Sequence, residues 1–171
     1  QGDVFSYNYN NATVGFANGE SVMYMQGNWA IPMIMQTNPD MDLDMFPFPA
    51  LDNAEDNKLC SSIDLMFSIT KKSKHKEEAT RFLNFLTEQE NVSTYMDDQF
   101  GIPAIDCEYE FPEQLNGILD DFQNGKIVSS PQAYYPSEMK LPIAVQTYMI
   151  DGDRDKFFKQ LDDTWREAHE E

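Results

Sequence analysis

Basic residues are scarce in this sequence. Of its 171 residues only 12 are Lys or Arg, against 30 Asp and Glu, which gives a formal charge of −18. So acidic a surface repels phosphate backbones and anionic lipid, which argues against nucleic acid or membrane-surface partners and fits a neutral or cationic small ligand. Two cysteines, Cys60 and Cys107, are too few for a disulfide scaffold, and no C-x-x-C spacing suggests a metal or redox site. The two histidines, His75 and His169, lie in charged helical sequence without ligand spacing to the cysteines, so no metal is expected. No long apolar run exists: the longest, about Trp29 to Met35, is far short of the roughly 20 residues a membrane span needs. Phosphate-binding G-x-x-x-x-G-K-[ST], dinucleotide-binding G-x-G-x-x-G and the nucleophile elbow G-x-S-x-G are all missing, and no cofactor is implied. Asp151-Gly152-Asp153-Arg154-Asp155 begins like a calcium loop, but Lys156 stands where that loop needs glycine. An acidic helix N-terminus explains it better.

What is present is globular sequence, 41% hydrophobic and 13% aromatic. Its organising stretch is F-A-N-G-E-S-V-M-Y-M-Q-G-N-W, from Phe16 to Trp29. Asn18-Gly19 signals a turn, and Val22-Met23-Tyr24-Met25 reads as a short buried strand. Gln26-Gly27-Asn28 then breaks the run, so that Trp29 falls just beyond a strand end beside two amides, where open α/β sheets bind ligands. An indole face with amides beside it suits a pyranose, which has an apolar C–H face and a rim of hydroxyls. The bland alternative is that Trp29 anchors a core at a helix start.

Along the chain, a short helix is expected near Thr13–Asn18, and another from Trp29 to Gln36 with Pro32 in its first turn. Met41, Leu43 and Met45 alternate with aspartates as in a half-buried strand. Leu59 to Thr70 reads as an extended, buried run around one acid, Asp64, which either accepts ligand hydroxyls or serves a structural salt bridge or cap. Ala79, Phe82, Leu83 and Leu86 mark the clearest helix, and Asn91 to Asp98 a second, with Val92, Tyr95 and Met96 inward. Leu115, Ile118, Leu119 and Phe122 form the stripe of a helix closed by Asn124-Gly125. A loop over Val128–Tyr135 precedes a helix from Lys140 with Ile143, Thr147 and Ile150 on one face; the last helix carries Phe158, Leu161, Trp165 and Ala168. Both cysteines sit beside apolar sequence, which reads as two buried free thiols.

The pattern F-x-x-G-x-x-x-M…G-x-W resembles the signature of family 1 extracellular solute-binding proteins, the sugar-binding components of ABC importers, as in maltose-binding-protein-like chains. K-K-S-K-H-K-E-E-A-T-R-F-L-N-F-L-T-E-Q-E, the G-I-P-A connection at 101–104 and the closing stretch ending in Trp165 and Ala168 are similar to later family segments, in the same order. The resemblance implies an α/β fold of the periplasmic-binding-protein type II class, here a helix-rich carboxyl-terminal fragment whose export signal lies upstream. Residues 1–59 would belong to the carboxyl-terminal lobe, 60–110 to a crossover and part of the amino-terminal lobe, and 111–171 to the carboxyl-terminal lobe again. It further implies that two lobes close over a sugar or oligosaccharide, with Trp29 stacking on the ring and Gln26, Asn28 and Asp64 bonding hydroxyls. Tyr134 and Tyr135 lie in a loop equivalent to one that runs over the family's cleft. Pro142 falls about where the family's aromatic in the following helix would sit, so that contact is not carried over. Cys60 and Cys107 would both lie near lobe crossovers, which leaves a disulfide open. The implied partners are the membrane permease subunits of an ABC importer, and the implied location is extracellular, lipid-anchored at the cell surface, or periplasmic, with no enzyme activity. Two other classes remain open from the residues: a carbohydrate hydrolase using Asp64 and a second acid, and a structural or surface-interaction domain whose aromatics are all core.

Overall fold

The computed structural model describes residues 6–131 and 134–169. Contacts divide the chain into two units, Gln1–Val128 and Ser129–Glu171. Helix exceeds strand, as expected: among the described residues the regular sheet is two three-residue strands, β1 Leu59–Ser61 and β2 Ile127–Ser129.

In the first unit, α1 spans Tyr9–Ala17 and begins where the Asn8 side chain accepts the Asn11 amide at 3.0 Å. A 3-10 turn, Asn28–Ala30, leads into α2, Ile31–Thr37, with Pro32 in the first turn where its missing N–H costs nothing. α1 and α2 pack through Phe16, Ala17, Ala30 and Ile34, and Asn38 donates to the Ala17 carbonyl at 3.0 Å. Helices α3, Lys76–Leu86, and α4, Gln89–Gln99, follow, and then α5, Asn116–Gln123. The stripe predicted for α5 is the one that packs: Leu115 and Ile118 are buried with Ile31, and Leu119 adds to that cluster with Phe100, Ile102 and Phe111.

Met41, Leu43 and Met45 turn toward these clusters while the intervening aspartates stay exposed, so the alternation holds although, among the described residues, no ladder pairs this segment. The same alternation recurs, unforeseen, at Ile105, Cys107, Tyr109 and Phe111, whose acidic neighbours Asp106, Glu108 and Glu110 face solvent. The Tyr109 and Phe111 rings meet edge to face at 5.2 Å.

Several expectations fail, for one physical reason: an apolar run or stripe is buried only when something covers it. Val22–Met25 is neither paired nor buried, and Tyr24 alone turns inward, stacked on Phe16 at 5.4 Å with its hydroxyl 3.1 Å from Thr13 Oγ1. Leu59–Thr70 forms strand only over β1, and Ile63, Leu65, Met66 and Phe67 lie open. In α3 no residue is buried, and Phe82 of the predicted stripe is exposed, as is Tyr95 in α4, where Val92 is buried. The cysteines are free, with Cys60 exposed rather than buried and Cys107 half-buried.

The second unit is a pair of helices, α6 Leu141–Asp151 and α7 Arg154–Glu167. Its packed stripe is rotated from the predicted one. Ala144 is buried and Tyr148 stacks on Phe157 at 5.1 Å, while Ile143, Ile150, Phe158 and Trp165 are exposed. Gly152, at φ +69°, makes the turn between the helices. Asp153 caps α7 by accepting the Lys156 amide at 2.9 Å, and Asp151 takes the Lys156 ammonium at 2.8 Å. These acids thus serve the helix start, as the sequence suggests.

Two predictions follow from the first unit's packing. Leu115 is fully buried in the Ile31–Ile118 cluster, so Leu115→Ala should cost about 3 kcal/mol; a denaturation midpoint near that of the parent would contradict this. Burial, with the Asp97 carboxylate beside it, pushes the Tyr109 hydroxyl up to about 12. The fold therefore favours the neutral phenol, and its contribution, complete below the usual tyrosine range near 10, is lost as pH rises from there toward 12. Ultraviolet titration should show a tyrosinate step near pH 12 that Tyr109→Phe removes; a step that survives the substitution would belong to another residue.

Candidate functional site

The segment that carries Trp29 is fixed from both sides. Downstream, Ala30 is 1% exposed and Ile31 2%, each seated in one of the two core clusters. With those side chains turned inward, residue 29 on the same tight turn is directed out. Upstream, the Asn28 amide donates to the Phe100 carbonyl at 2.7 Å, a bond between residues 72 apart in sequence. Phe100 closes α4 in the left-handed region, at φ +51°, where a non-glycine residue is strained unless its surroundings hold it. Its side chain packs on the Ile31–Leu115–Ile118 cluster, and the Asn28 bond satisfies its carbonyl.

The indole itself is 59% exposed, so Trp29 is not a core anchor. Its Nε1–H donates to Gln26 Oε1 at 3.0 Å. Its ring lies against Gly27, where any Cβ would run into the six-membered ring. Glycine is required here for close approach rather than for a left-handed backbone, since residue 27 is extended at φ −96°. One edge of the indole is thus tied to a side-chain amide and the ring rests on main chain, while over half of its surface stays open. A flat, fixed, water-facing aromatic surface of this kind binds a ligand with a flat apolar face.

The structure brings Gln26, Asn28 and Trp29 together, with Gln26 and Asn28 supporting the turn as well as lining it. Gln26 keeps its amide nitrogen free and Asn28 its carbonyl oxygen, among the described residues. Asp64 differs from the expectation of a buried acid: it is exposed and, among the described residues, makes no hydrogen bond or ion pair. The run around it is uncovered, so burial imposes no need for a partner. Tyr134 and Tyr135 are exposed, at 66% and 41%, and belong to the second unit. Among the described residues no group of His, Cys, Asp and Glu is arranged to hold a metal ion, and no helix is long and apolar enough to cross a membrane. The two residues that sequence reasoning passed over are Gly27 as the seat of the indole and Phe100 as the acceptor for Asn28. The first was signalled by glycine two places before tryptophan; nothing in the sequence marked the second.

Comparison with known proteins accords with this architecture. A family profile described as bacterial extracellular solute-binding protein matches residues 1–115. A multiple sugar-binding protein of Streptococcus mutans is 35% identical over 89 residues, which are 52% of this chain and 21% of that protein. Among solved structures, the solute-binding protein RafE in complex with raffinose superposes with a TM-score of 0.79 at 22% identity. The apo form of RafE from Streptococcus pneumoniae gives 0.69 at the same identity. Each superposition covers 92% of this chain and 41% of the RafE chain, so the present chain spans well under half of the structures it matches. The fold is that of these solute-binding proteins, of which this chain forms a helix-rich part. With the profile covering residues 1–115 of 171, the chain belongs to the bacterial extracellular solute-binding protein family.

Proposed function

We propose that this chain forms part of a sugar- or oligosaccharide-binding protein that serves an ABC-type importer outside the cytoplasmic membrane. The observation that carries the reading is the exposed indole of Trp29, tied to Gln26 and seated on Gly27. A sugar ring lays its C–H face on that indole. The free amide nitrogen of Gln26 donates to a hydroxyl, and the free oxygen of Asn28 accepts one. Asp64, exposed and unpaired, is available to accept two hydroxyl protons, and Tyr134 and Tyr135 offer further aromatic surface. Residues up to about 59 and from 111 on belong to the carboxyl-terminal lobe of the complete protein, and 60–110 to the crossover and amino-terminal lobe. Ligand is trapped by hinge closure of the lobes, and the closed form docks on permease subunits. The protein is held outside the membrane by export, with lipid anchoring through an upstream segment, and makes and breaks no covalent bond in the sugar.

Support comes from the family and from two relatives, a multiple sugar-binding protein and a solute-binding protein in complex with raffinose. The hydrolase alternative drew its strength from a buried Asp64 beside a second acid, and the exposure of Asp64 removes that support.

Calorimetric titration of the complete protein with a panel of oligosaccharides, raffinose included, should show binding that Trp29→Ala abolishes; an unchanged affinity would refute the stacking role. Gly27→Ala should displace the indole by forcing its ring off the main chain, and weaken binding by at least about tenfold while leaving the denaturation midpoint within about 1 kcal/mol. Full affinity in Gly27→Ala would show that the seat is irrelevant.

A further inference from the structure

We infer that the fold leaves Asn18-Gly19, of three Asn-Gly steps, open to spontaneous covalent modification, in which Asn18 loses its amide to give aspartate and isoaspartate. The three steps are 18–19, 116–117 and 124–125. Each sets a side-chain amide before a residue with no Cβ to hinder ring closure. In the reaction the Gly19 nitrogen, its proton taken by hydroxide, attacks Cγ of Asn18. A nitrogen–carbon bond forms, the Cγ–Nδ2 bond breaks, and Nδ2 takes a proton from water and leaves as ammonia. Water then opens the five-membered imide at either carbonyl, so an amide and a water become a carboxyl group and ammonia.

The three steps differ in what holds them. At 116–117 the attacking nitrogen lies in the first turn of α5, donates to Asp44 Oδ1 at 3.1 Å, and sits on main chain packed against the Met45 carbonyl. At 124–125 the amide that must leave donates to the Asp120 carbonyl at 2.7 Å. The next residue, Lys126, is held by its carbonyl to the Leu59 amide at 3.0 Å and by its ammonium to Asp121 at 3.5 Å. At 18–19 neither kind of restraint is found. Asn18 is exposed, and its side chain makes no hydrogen bond among the described residues. Gly19, at φ +81°, has nothing within 4 Å of the space a Cβ would fill. Ring closure turns Asn18 away from ψ 3° and breaks the bonds that close α1, from Gly19 N–H to the Phe16 carbonyl at 2.9 Å and from Glu20 N–H to the Gly15 carbonyl at 3.0 Å. Helix ends open locally at a small fraction of the cost of global unfolding. Conversion places a carboxylate at the negative end of α1, and the isoaspartyl form adds a methylene to the main chain that leads to Trp29.

The inference is independent of the sugar reading, and its test uses no sugar. The complete protein is kept warm at mildly alkaline pH, folded or in urea, and digested at intervals. Isoaspartate is detected with an isoaspartyl methyltransferase and placed by mass spectrometry. In the folded protein residue 18 is expected to convert at least about tenfold faster than 116 or 124. In urea the three rates should converge to within about threefold, since the fold then protects none of them. Equal rates in the folded protein, a fastest step at 116 or 124, an order of rates that persists in urea, or an unmodified Asn18 once the denatured chain has converted would each overturn the proposal.

Discussion

Ile31 is where the core and the site meet. Its burial against Leu115 and Ile118 fixes the start of α2, and with Ala30 beside it the preceding turn has little freedom. Trp29 must then face outward. The Asn28–Phe100 bond adds a long-range tie, so the turn that carries the indole depends on α4 and α5 as well as on its own helix. An exposed tryptophan is costly to leave in water, and this one is held in a single place by Gln26 and Gly27 rather than folded back on the core. A ring immobilised before the ligand arrives loses less entropy on binding, which is the advantage of such a seat.

Much of the helical skeleton was legible because its signals are local. Pro32 in a first turn, the Leu115–Ile118–Leu119 stripe and Gly125 beyond it each act within a few residues. Legibility failed where the outcome depends on distant cover. Val22–Met25 and Ile63–Phe67 have strand composition, but a strand exists only with a partner, and none of the described residues provides one. The same omission explains Asp64, whose burial was inferred from apolar neighbours that are themselves bare. In the second unit the misjudgement was angular. A stripe drawn through Ile143 and Ile150 and one drawn through Ala144 and Tyr148 differ by one residue, and the face that packs is the one on which Tyr148 meets Phe157.

For the site, the G-x-W spacing marked an aromatic and two amides that the structure brings onto one turn, yet gave the amides only ligand duties. In the structure Gln26 and Asn28 also hold the turn, the one through the indole N–H and the other through Phe100. Side-chain amides carry both donors and acceptors, so each can spend one group on support and keep another for a hydroxyl. A neutral ligand neither gains nor suffers from the chain's formal charge of −18.

The central claim, that Trp29 is both exposed and held, is most directly tested by fluorescence of Trp165→Phe protein, in which Trp29 is the only indole. Acrylamide should quench it nearly as efficiently as a free tryptophan, while its anisotropy decay should lack a fast local component. An indole shielded from acrylamide, or one that is quenched but spins freely, would contradict the account.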